Sequence, residues 1–407
     1  NMKKVLVVGA GGQGGPCASI LSRDKDISKI VLGDIDLALA DKVKNKINSS
    51  KVTAIKLDAG KVEDIERAAK GVDVVINLTL CRFNANIMKA AVASGAHYVD
   101  SAFGEPLWNQ FLQNKPLELD DQFKEAGLTA LVCSGGSAGV TNVLTRYVCD
   151  KLDHVEAIHI RVGHKTIKET GDTIKTWQPT WCPEIALQDY ANESTAFVDG
   201  KYTVCPPFSG REKYDFPDPV GSLVVYHHSH EEPITMPHFI GKGLKHVDFK
   251  YPIDPVAGAL VKMGFASHEP IDVKGSKVAP IDVLMKLIQP PVDTFLGENE
   301  TNASIIPDSV HPYLLEISGE SKGKNVTYKL WWPSYLFDTP EEKLHLYKIF
   351  GTSKVSVALP ATVGAKMCME GSAEKGVISS ECLDPTRFMG IMAAMDAPLK
   401  FNELCSD

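Results

Sequence analysis

The chain has 407 residues, of which 44% are hydrophobic and 23% are charged, and its formal net charge is −8. A chain of this length suits two domains better than one core. The acidic balance, without a concentrated basic patch, excludes nucleic acid and anionic membrane surfaces as expected partners. The sequence contains no run of eighteen apolar residues, the length that a membrane-spanning helix requires.

The N-terminal residues form no long apolar stretch of the kind found in signal peptides. The nine cysteines are odd in number and scattered, and none are spaced as Cys-x-x-Cys. This pattern is typical of reduced thiols rather than of disulfides or a zinc site. We therefore expect a cytoplasmic protein without a bound metal.

The first element is an apolar run at residues 5–8, followed by glycines spaced as Gly9-x-Gly11-x-x-Gly14. In a dinucleotide-binding turn Gly9 turns the chain, Gly11 leaves room for the diphosphate, and Gly14 lets the helix pack on the strand. The N-terminus of that helix attracts the phosphates. The alternative interpretation is a structural strand–helix turn without a ligand.

A second apolar run at residues 30–33 ends at Asp34, about twenty residues past Gly14, where a ribose-binding acid is expected. This carboxylate would repel a 2′-phosphate, and no arginine lies within several residues of it. We therefore predict NAD as the cofactor, with NADP less favoured. Asp36 takes the same role if the strand ends two residues later.

Strands and helices alternate up to residue 133. Further strands are expected at residues 52–57, 72–77, 97–100 and 129–133, and helices at residues 36–47, 61–70 and 84–94. The alternation predicts an α/β domain with a doubly wound parallel Rossmann sheet.

Ligands of such sheets bind outside the carboxyl ends of the strands. Asp58, after the third strand, is either an adenine contact or an ordinary loop acid, and Cys81 is expected to line the nicotinamide pocket. The predicted cofactor contacts are Gly9, Gly11, Gly12, Gln13, Gly14, Asp34, Ile35, Asp58, Ala59, Asn77, Leu78, Thr79 and Cys81.

The pattern changes near residue 154. Strands are expected at residues 155–162, 223–226 and 247–251, with hairpins at 197–204 and 313–332, the first around an Asp-Gly turn. Few helices interrupt them, which predicts a second α+β domain with a mostly antiparallel sheet. Helices at 361–370 and 385–395 are expected to pack back onto the first domain.

We accordingly assign residues 1–134 and about 353–407 to a dinucleotide-binding domain. Residues 135–352 form a substrate-binding and dimerisation domain, and we expect a homodimer.

Several segments together resemble the saccharopine dehydrogenase family, in particular its lysine 6-dehydrogenase and saccharopine reductase branches. They are Gly9 to Gly14, Val74-Val75-Ile76-Asn77, Arg82-Phe83-Asn84, His97-Tyr98-Val99-Asp100, Ser134 to Asn142 and Arg161-Val162-Gly163. The resemblance implies a Rossmann domain joined to a substrate domain, a dimer in many members, and NAD(P)-linked oxidation at a carbon that bears nitrogen. Saccharopine reductases carry two acids where this chain has Ser137-Ala138-Gly139-Val140-Thr141, and their loss favours a free amino acid or amine as the substrate.

Amine oxidation requires a base that titrates near neutral pH. Asp100, at the end of the fifth strand, is a candidate catalytic carboxylate or a structural cap. His228 and His230 share a predicted strand face, and one of them is an acid–base candidate or both lie at a solvated strand end; we assign the role to His228.

The predicted substrate contacts include a guanidinium that holds a carboxylate at two points. Arg211 is the preferred clamp, Arg161 is its rival, and Arg82 is a third possibility. Ser137 lies in a glycine-rich loop that approaches a ligand or acts as a hinge. Trp177, in the Trp-Gln-Pro-Thr-Trp stretch at residues 177–181, covers the substrate or packs as a plug.

The sequence thus predicts an NAD(P)-dependent oxidoreductase that acts on the CH–NH bond of an amino acid, of the lysine 6-dehydrogenase type. One alternative is a saccharopine or carboxynorspermidine-type reductase that uses NADPH. The other is a sensor that binds NAD(H) without turnover.

Overall fold

The computed structural model describes residues 2–166, 177–179, 181–303, 309–332 and 339–407. The strands are β1 (Lys3–Val8), β2 (Ile27–Asp34), β3 (Val52–Lys56), β4 (Val74–Asn77), β5 (His97–Asp100), β6 (Thr129–Val132), β7 (His154–Val162), β8 (Lys165–Thr166), β9 (Ser194–Val198), β10 (Lys201–Cys205), β11 (Glu212–Phe216), β12 (Gly221–His227), β13 (His246–Tyr251), β14 (Ile271–Val273), β15 (Ser276–Val278), β16 (Ser309–Val310), β17 (Tyr313–Ser321), β18 (Lys324–Trp332), β19 (Gly376–Ser379) and β20 (Asn402–Ser406).

The helices are α1 (Gly14–Arg23), α2 (Leu37–Ile47), α3 (Val62–Ala69), α4 (Asn84–Ala93), α5 (Leu107–Leu112), α6 (Asp120–Glu125), α7 (Val140–Cys149), α8 (Pro183–Ala191), α9 (Glu232–Phe239), α10 (Pro255–Lys262), α11 (Pro280–Leu287), α12 (Val292–Leu296), α13 (Glu300–Ala303), α14 (Pro340–Phe350), α15 (Ala358–Glu370) and α16 (Pro385–Ala394). Short 3₁₀ helices cover Cys81–Phe83 and Ser380–Cys382. Among the described residues, no helix combines the length and the apolar character needed to cross a membrane.

The first sheet is parallel throughout, in the order β19-β6-β5-β4-β1-β2-β3. The interior strand β1 is inaccessible at Val5, Leu6 and Val7, as expected for a strand covered by helices on both faces. The Rossmann sheet predicted from the sequence is therefore confirmed. The late strand β19 pairs with β6, and α15 packs on α1, so that part of the C-terminal segment lies against this sheet.

The second sheet is mixed, along the path β10-β9-β13-β7-β17-β18-β20, with β12 beside β13 and β11 beside β12. Its pairs are antiparallel apart from β7 with β13. Asp199 and Gly200 join β9 to β10 with φ angles of 48° and 75°, the mirror-image turn that suits a hairpin. The mostly antiparallel second sheet is confirmed. β20 pairs with β18, so the last residues lie in the second sheet, although our boundaries assign them to the first domain.

The helix expected at residues 36–47 is α2, and its spacing buries one face. Ala40, Val43 and Ile47 of α2 are buried. Leu37, which has the same spacing, is the first residue of the helix and is 40% exposed. Helical spacing alone therefore does not bury the residue at the helix start.

Candidate functional site

The glycine turn after β1 is tightly packed on one side and open on the other. A Cβ atom on Gly14 would lie 1.7 Å from the carbonyl oxygen of Gly9, so only glycine lets α1 pack this closely on the turn. A Cβ atom on Gly11, by contrast, would have no heavy atom within 4 Å among the described residues. The backbone at Gly11 is therefore accessible at the N-terminus of α1, and the turn fits the diphosphate of a dinucleotide.

Asp34 ends β2 beside this turn. Its Oδ2 atom accepts a hydrogen bond from the backbone N–H of Ala10 at 2.7 Å, and Oδ1 accepts one from the N–H of Asp36 at 2.9 Å. Asp36, the alternative ribose ligand, caps α2 by accepting hydrogen bonds from the N–H groups of Ala38 and Leu39. Asp34 is thus the acid that faces the glycine turn, and the neighbouring predicted contact Ile35 is 60% exposed.

A segment from the second half of the chain lies against the same turn. A Cβ atom on Gly12 would come within 2.7 Å of the Cβ atom of Pro291, just before α12. A Cβ atom on Gly15 would come within 2.8 Å of the Phe295 ring. The predicted contact Gly12 therefore faces protein, whereas Gly11 faces open space. Gln13, another predicted contact, is the N-cap residue of α1.

The loops after β3 and β4 complete this edge of the sheet. Asp58 accepts a hydrogen bond from the N–H of Gly60 at 2.9 Å and lies 3.5 Å from Nζ of Lys61, as an ordinary loop acid does. Ala59, beside it, is half-buried. The carbonyl oxygen of Leu78 lies within 2.9 Å of where a Cβ on Gly9 would stand, so the loop after β4 borders the glycine turn.

Asn77 is buried and holds the loop after β4 together. Its Nδ2 atom donates hydrogen bonds to Oδ1 of Asn84 at 2.7 Å and to the Tyr98 hydroxyl at 3.0 Å. Its Oδ1 atom accepts hydrogen bonds from the backbone N–H and the hydroxyl of Thr79. The predicted contacts Asn77 and Thr79 thus bond to each other at the edge of the cofactor region.

Asp100, at the end of β5, is bonded to the residue after β6, to the first residue of α4 and to Tyr98 of its own strand. Its Oδ1 atom accepts a hydrogen bond from the N–H of Cys133 at 2.9 Å. Its Oδ2 atom accepts hydrogen bonds from Asn84 at 3.0 Å and from the Tyr98 hydroxyl at 2.9 Å. Burial raises the pKa of this carboxyl well above its ordinary value, although the bonds from Cys133 and Tyr98 oppose the shift. Of the two roles considered for Asp100, these bonds favour the structural cap.

A group of ionisable side chains, which we call the junction cluster, lies where the two sheets meet. It comprises Asp189 of α8 with His230, Glu231 and Glu232 at the start of α9. Nδ1 of His230 is hydrogen-bonded to Oε2 of Glu232 and lies 3.5 Å from Oε2 of Glu231. The hydroxyls of Ser137 and Thr141, after β6, donate hydrogen bonds to Oε1 of Glu232. The cluster is therefore assembled from both halves of the chain.

The junction cluster contains three carboxyl groups against one imidazole. Burial raises the pKa of Asp189 to about 8 and that of Glu231 to about 7. Burial alone lowers the pKa of His230, but the neighbouring carboxylates, led by Glu232, outweigh it and raise the value to about 9. Burial raises the pKa of Glu232 too, but His230 and the two hydroxyls hold it below its ordinary value. The cluster thus has more carboxyl groups than positively charged groups, which suits a cationic ligand.

Cys81, in the 3₁₀ helix that follows β4, lies near the junction cluster. Burial raises the pKa of its thiol, and the nearby carboxylates of Glu231, Asp100 and Asp189 raise it further. The side chains of His230 and Glu231 are 17% and 14% exposed, so solvent reaches the cluster. Ligand atoms of His230, Glu231 and Glu232 lie within 4.8 Å of one another. The expectation of no bound metal stays a prediction.

His228 occupies different surroundings from His230. The sequence predicted both on one strand face, but β12 ends at His227, so the strand alternation does not extend to them. The His228 ring lies 4.7 Å from the ring of Tyr190 and 5.2 Å from that of Tyr251. Burial lowers the pKa of His228 to about 3, so it is neutral at physiological pH. The structure thus brings His230, rather than the predicted His228, to the carboxylates.

Of the predicted carboxylate clamps, two are engaged within the chain. Arg161 is 4% exposed and bonds both carboxylate oxygens of Asp248, at 3.0 and 2.9 Å, and Glu212 at 3.0 Å. Nη1 of Arg82 donates to Oε1 of Glu184 at 3.0 Å, which joins the loop after β4 to the start of α8. Arg211 is exposed just before β11.

Trp177 packs beside Leu187 and Tyr190 of α8 in a small apolar cluster, in line with the packing role. It is half-buried. Thr180, in the same predicted stretch, lies outside the described residues.

Sequence reasoning missed Asp189 and Glu231. Glu231 directly follows the candidate residue His230 in the sequence, so the neighbouring acid was a usable signal. Asp189 has no such signal, because only the packing of α8 brings it to the cluster.

Family models cover almost the whole chain. Residues 5–131 match the saccharopine dehydrogenase NADP binding domain, and residues 135–397 match the saccharopine dehydrogenase C-terminal domain. The carboxyaminopropylagmatine dehydrogenase of Synechocystis sp. is 25% identical over 98% of this chain and 97% of its own length. The carboxynorspermidine synthase of Vibrio cholerae is 25% identical over 96% of this chain and 95% of its own.

Among solved structures, apo saccharopine dehydrogenase (L-Glu forming) from Saccharomyces cerevisiae superposes with a TM-score of 0.67. The two chains are 16% identical, and the superposition covers 99% of this chain and 100% of the yeast chain. At this identity the likeness shows the fold alone.

Proposed function

The chain belongs to the saccharopine dehydrogenase family of oxidoreductases, and on that premise we propose that it acts on the CH–NH bond of a carboxylated polyamine with a nicotinamide cofactor. The relatives matched over nearly their full length are named for carboxyaminopropylagmatine and carboxynorspermidine. They favour a polyamine-type substrate over the lysine 6-dehydrogenase type that the sequence alone suggested.

The observation that carries this proposal is the excess of carboxyl groups in the junction cluster. Asp189 and Glu231 hold pKa values of about 8 and 7 because burial disfavours their ionised forms, an effect that the nearby His230 offsets only in part. A polyamine brings cationic nitrogens that supply this charge. Saccharopine carries three carboxyl groups against two amino nitrogens, so it would add net negative charge to a site that already has an excess of carboxyl groups.

The glycine turn and Asp34 are the residues that would hold the cofactor. The open backbone at Gly11 receives the diphosphate, and Asp34 accepts hydrogen bonds from the adenosine ribose. When bound, the nicotinamide ring accepts or supplies the two electrons and one hydrogen of the C–H bond. We propose NAD as the natural form, because the Asp34 carboxylate disfavours a 2′-phosphate, whereas the description of the matching family domain names NADP.

The chain's own groups position the amine and exclude water. Cys81, after β4, and Ser137, after β6, border the junction cluster from the carboxyl edge of the parallel sheet. The Arg82–Glu184 ion pair closes the same junction from the other side. An amine bound to Asp189 and Glu231 therefore lies between the two domains.

The test is an absorbance assay at 340 nm with each of NADH and NADPH. Reductions would use an aldehyde that bears an amino acid group, with agmatine, 1,3-diaminopropane or putrescine as amine, and oxidations would use lysine, saccharopine and carboxynorspermidine. We expect turnover with a polyamine pair and none with saccharopine. Turnover with lysine alone would contradict the polyamine assignment, and tight NADH binding without turnover on any substrate would favour the sensor.

A further inference from the structure

We propose that His230 is the residue that moves the proton in the reaction and that Glu232, held by the hydroxyl groups of Ser137 and Thr141, positions it. This assignment rests on the proposed function. It starts from one contact, the hydrogen bond from Nδ1 of His230 to Oε2 of Glu232.

Both oxygens of Glu232 are engaged, and the side chain is fully buried. Oε2 accepts the hydrogen bond from His230, and Oε1 accepts those of the Ser137 and Thr141 hydroxyls, the latter at 2.7 Å. A carboxylate that receives three donors stays ionised. Glu232 therefore acts on the imidazole as a fixed negative charge and hydrogen-bond acceptor, and not as the group that exchanges a proton with substrate.

The ring of His230 is fixed in two ways. Its Nδ1–H is committed to Glu232, and its plane stacks on Phe249 with 4.0 Å between centroids and 8° between planes. Among the described residues no hydrogen bond engages Nε2. The arrangement leaves Nε2 as the atom that can exchange a proton, in the way that a buried carboxylate orients a catalytic histidine in hydrolases.

The groups that face His230 come from three elements. They are Asp189 of α8, Phe249 of β13, and His228, Glu231 and Glu232 of its own segment. The carboxylates keep the imidazole protonated at neutral pH and bring its affinity for protons close to that of a secondary amine.

The proton step balances in both directions. In oxidation, the secondary ammonium nitrogen gives its proton to neutral Nε2, which frees the nitrogen lone pair. The neighbouring carbon can then lose its hydrogen as hydride to the oxidised nicotinamide cofactor, which leaves the iminium. In amine formation, the imidazolium returns this proton to the new secondary amine. Ser137 and Thr141 belong to the segment after β6 and the start of α7, so the positioned dyad depends on the packing of this segment against the start of α9.

The experiment compares full-length His230→Gln, Glu232→Gln and Ser137→Ala/Thr141→Val with the wild type and with His345→Gln, a control at an exposed histidine of α14. We expect His230→Gln to lower kcat by about 10²- to 10⁴-fold, the usual worth of a proton-transfer group. The wild-type oxidation rate should rise with pH towards an apparent pKa near that of His230. Glu232→Gln should move this profile to lower pH with little change in KM, which a merely structural role would not do.

A second readout does not depend on turnover. Proton-detected NMR of the labelled histidine rings should show one site titrating near pH 9, absent in His230→Gln and shifted down by at least one unit in Glu232→Gln. If no amine is turned over, the proposed function fails while this titration still decides whether the dyad exists. An unchanged titration and pH profile in Glu232→Gln would overturn the proposal. So would loss of activity on chelation that Zn²⁺ restores, because the cluster would then bind a metal.

Discussion

The carboxylate of Asp34 accepts a hydrogen bond from the backbone N–H of Ala10 at 2.7 Å, which links the end of β2 to the glycine turn after β1 across 24 positions of sequence. The acid and the turn are therefore fixed relative to each other without any ligand. A site built in this way binds a ribose and its diphosphate with little reorganisation.

Replacing Asp34 with alanine tests the role of this acid in cofactor choice. We expect Asp34→Ala to weaken NADH binding by roughly 10- to 100-fold, since hydrogen bonds to a charged group are each worth about 1.5–3 kcal/mol. The affinity for NADPH should fall much less, because the repulsion between the Asp34 carboxylate and the 2′-phosphate disappears at the same time. Fluorescence titration measures both constants. Asp36→Ala is the matched control, since it removes a helix cap at a cost of about 1 kcal/mol in stability and leaves cofactor binding unchanged. Equal losses for the two cofactors in Asp34→Ala would refute the assignment.

The two ends of the glycine turn should respond differently to added side chains. Gly11→Val should fold normally, because its Cβ meets nothing within 4 Å among the described residues, yet block the diphosphate and abolish dinucleotide binding. Gly14→Ala should instead lower the melting temperature, because its Cβ would overlap the carbonyl oxygen of Gly9. Calorimetric melting and NADH titration distinguish the two effects. Undiminished NADH binding by Gly11→Val would rule out the proposed phosphate site.

Arg161 should matter for folding rather than for substrate. Arg161→Met removes the buried guanidinium from Asp248 and Glu212, which keep His159 and Lys250 as partners; breaking such a largely buried network costs about 3–5 kcal/mol in the free energy of unfolding. Urea denaturation measures this loss, and Arg211→Met, at an exposed residue, should stay within about 0.5 kcal/mol of the wild type. A variant Arg161→Met with unchanged stability and a raised KM would instead restore the clamp role that the sequence suggested.

Amine binding should release protons from the junction cluster. A bound cation favours the ionised forms of Asp189 and Glu231, whose pKa values are about 8 and 7, so both values fall on binding. Affinity should therefore rise as the pH increases from 6 to 8, with roughly one proton released at pH 7. Calorimetric titration of agmatine in two buffers of different ionisation enthalpy counts these protons.

The double variant Asp189→Asn/Glu231→Gln should abolish the proton release and weaken the binding of agmatine. The control Glu269→Gln, at an exposed acid, should change neither the proton release nor the affinity. An affinity that does not depend on pH would count against the cation site.

Much of the fold could be predicted because local patterns encode it. The strand expected at residues 97–100 is β5, and the glycine spacing correctly placed the start of α1. The parallel pairing of β7 with β13 was not predictable, since periodicity identifies a strand but not its partner. The strand β20 was not predicted, because it is only five residues long and largely exposed, without the buried alternate positions that mark a strand.

The site could be predicted only in part, for a related reason. Strand ends were chosen by a geometric rule, and Ser137 indeed contacts Glu232 across the junction. Strand alternation placed His228 and His230 on the same face and could not choose between them, and the strand in fact ends at His227. Asp189 lies on a helix, and its distance from His230 is set by packing between elements far apart in sequence.

The most direct test of the central claim is isotope transfer from cofactor deuterated at C4 of the nicotinamide, followed by mass spectrometry of the amine product. The account predicts one deuterium on the carbon bonded to the secondary nitrogen of a carboxylated polyamine. It also predicts that this label is absent with Gly11→Val. A product amine formed without deuterium, or no labelled amine from any polyamine partner, would contradict it.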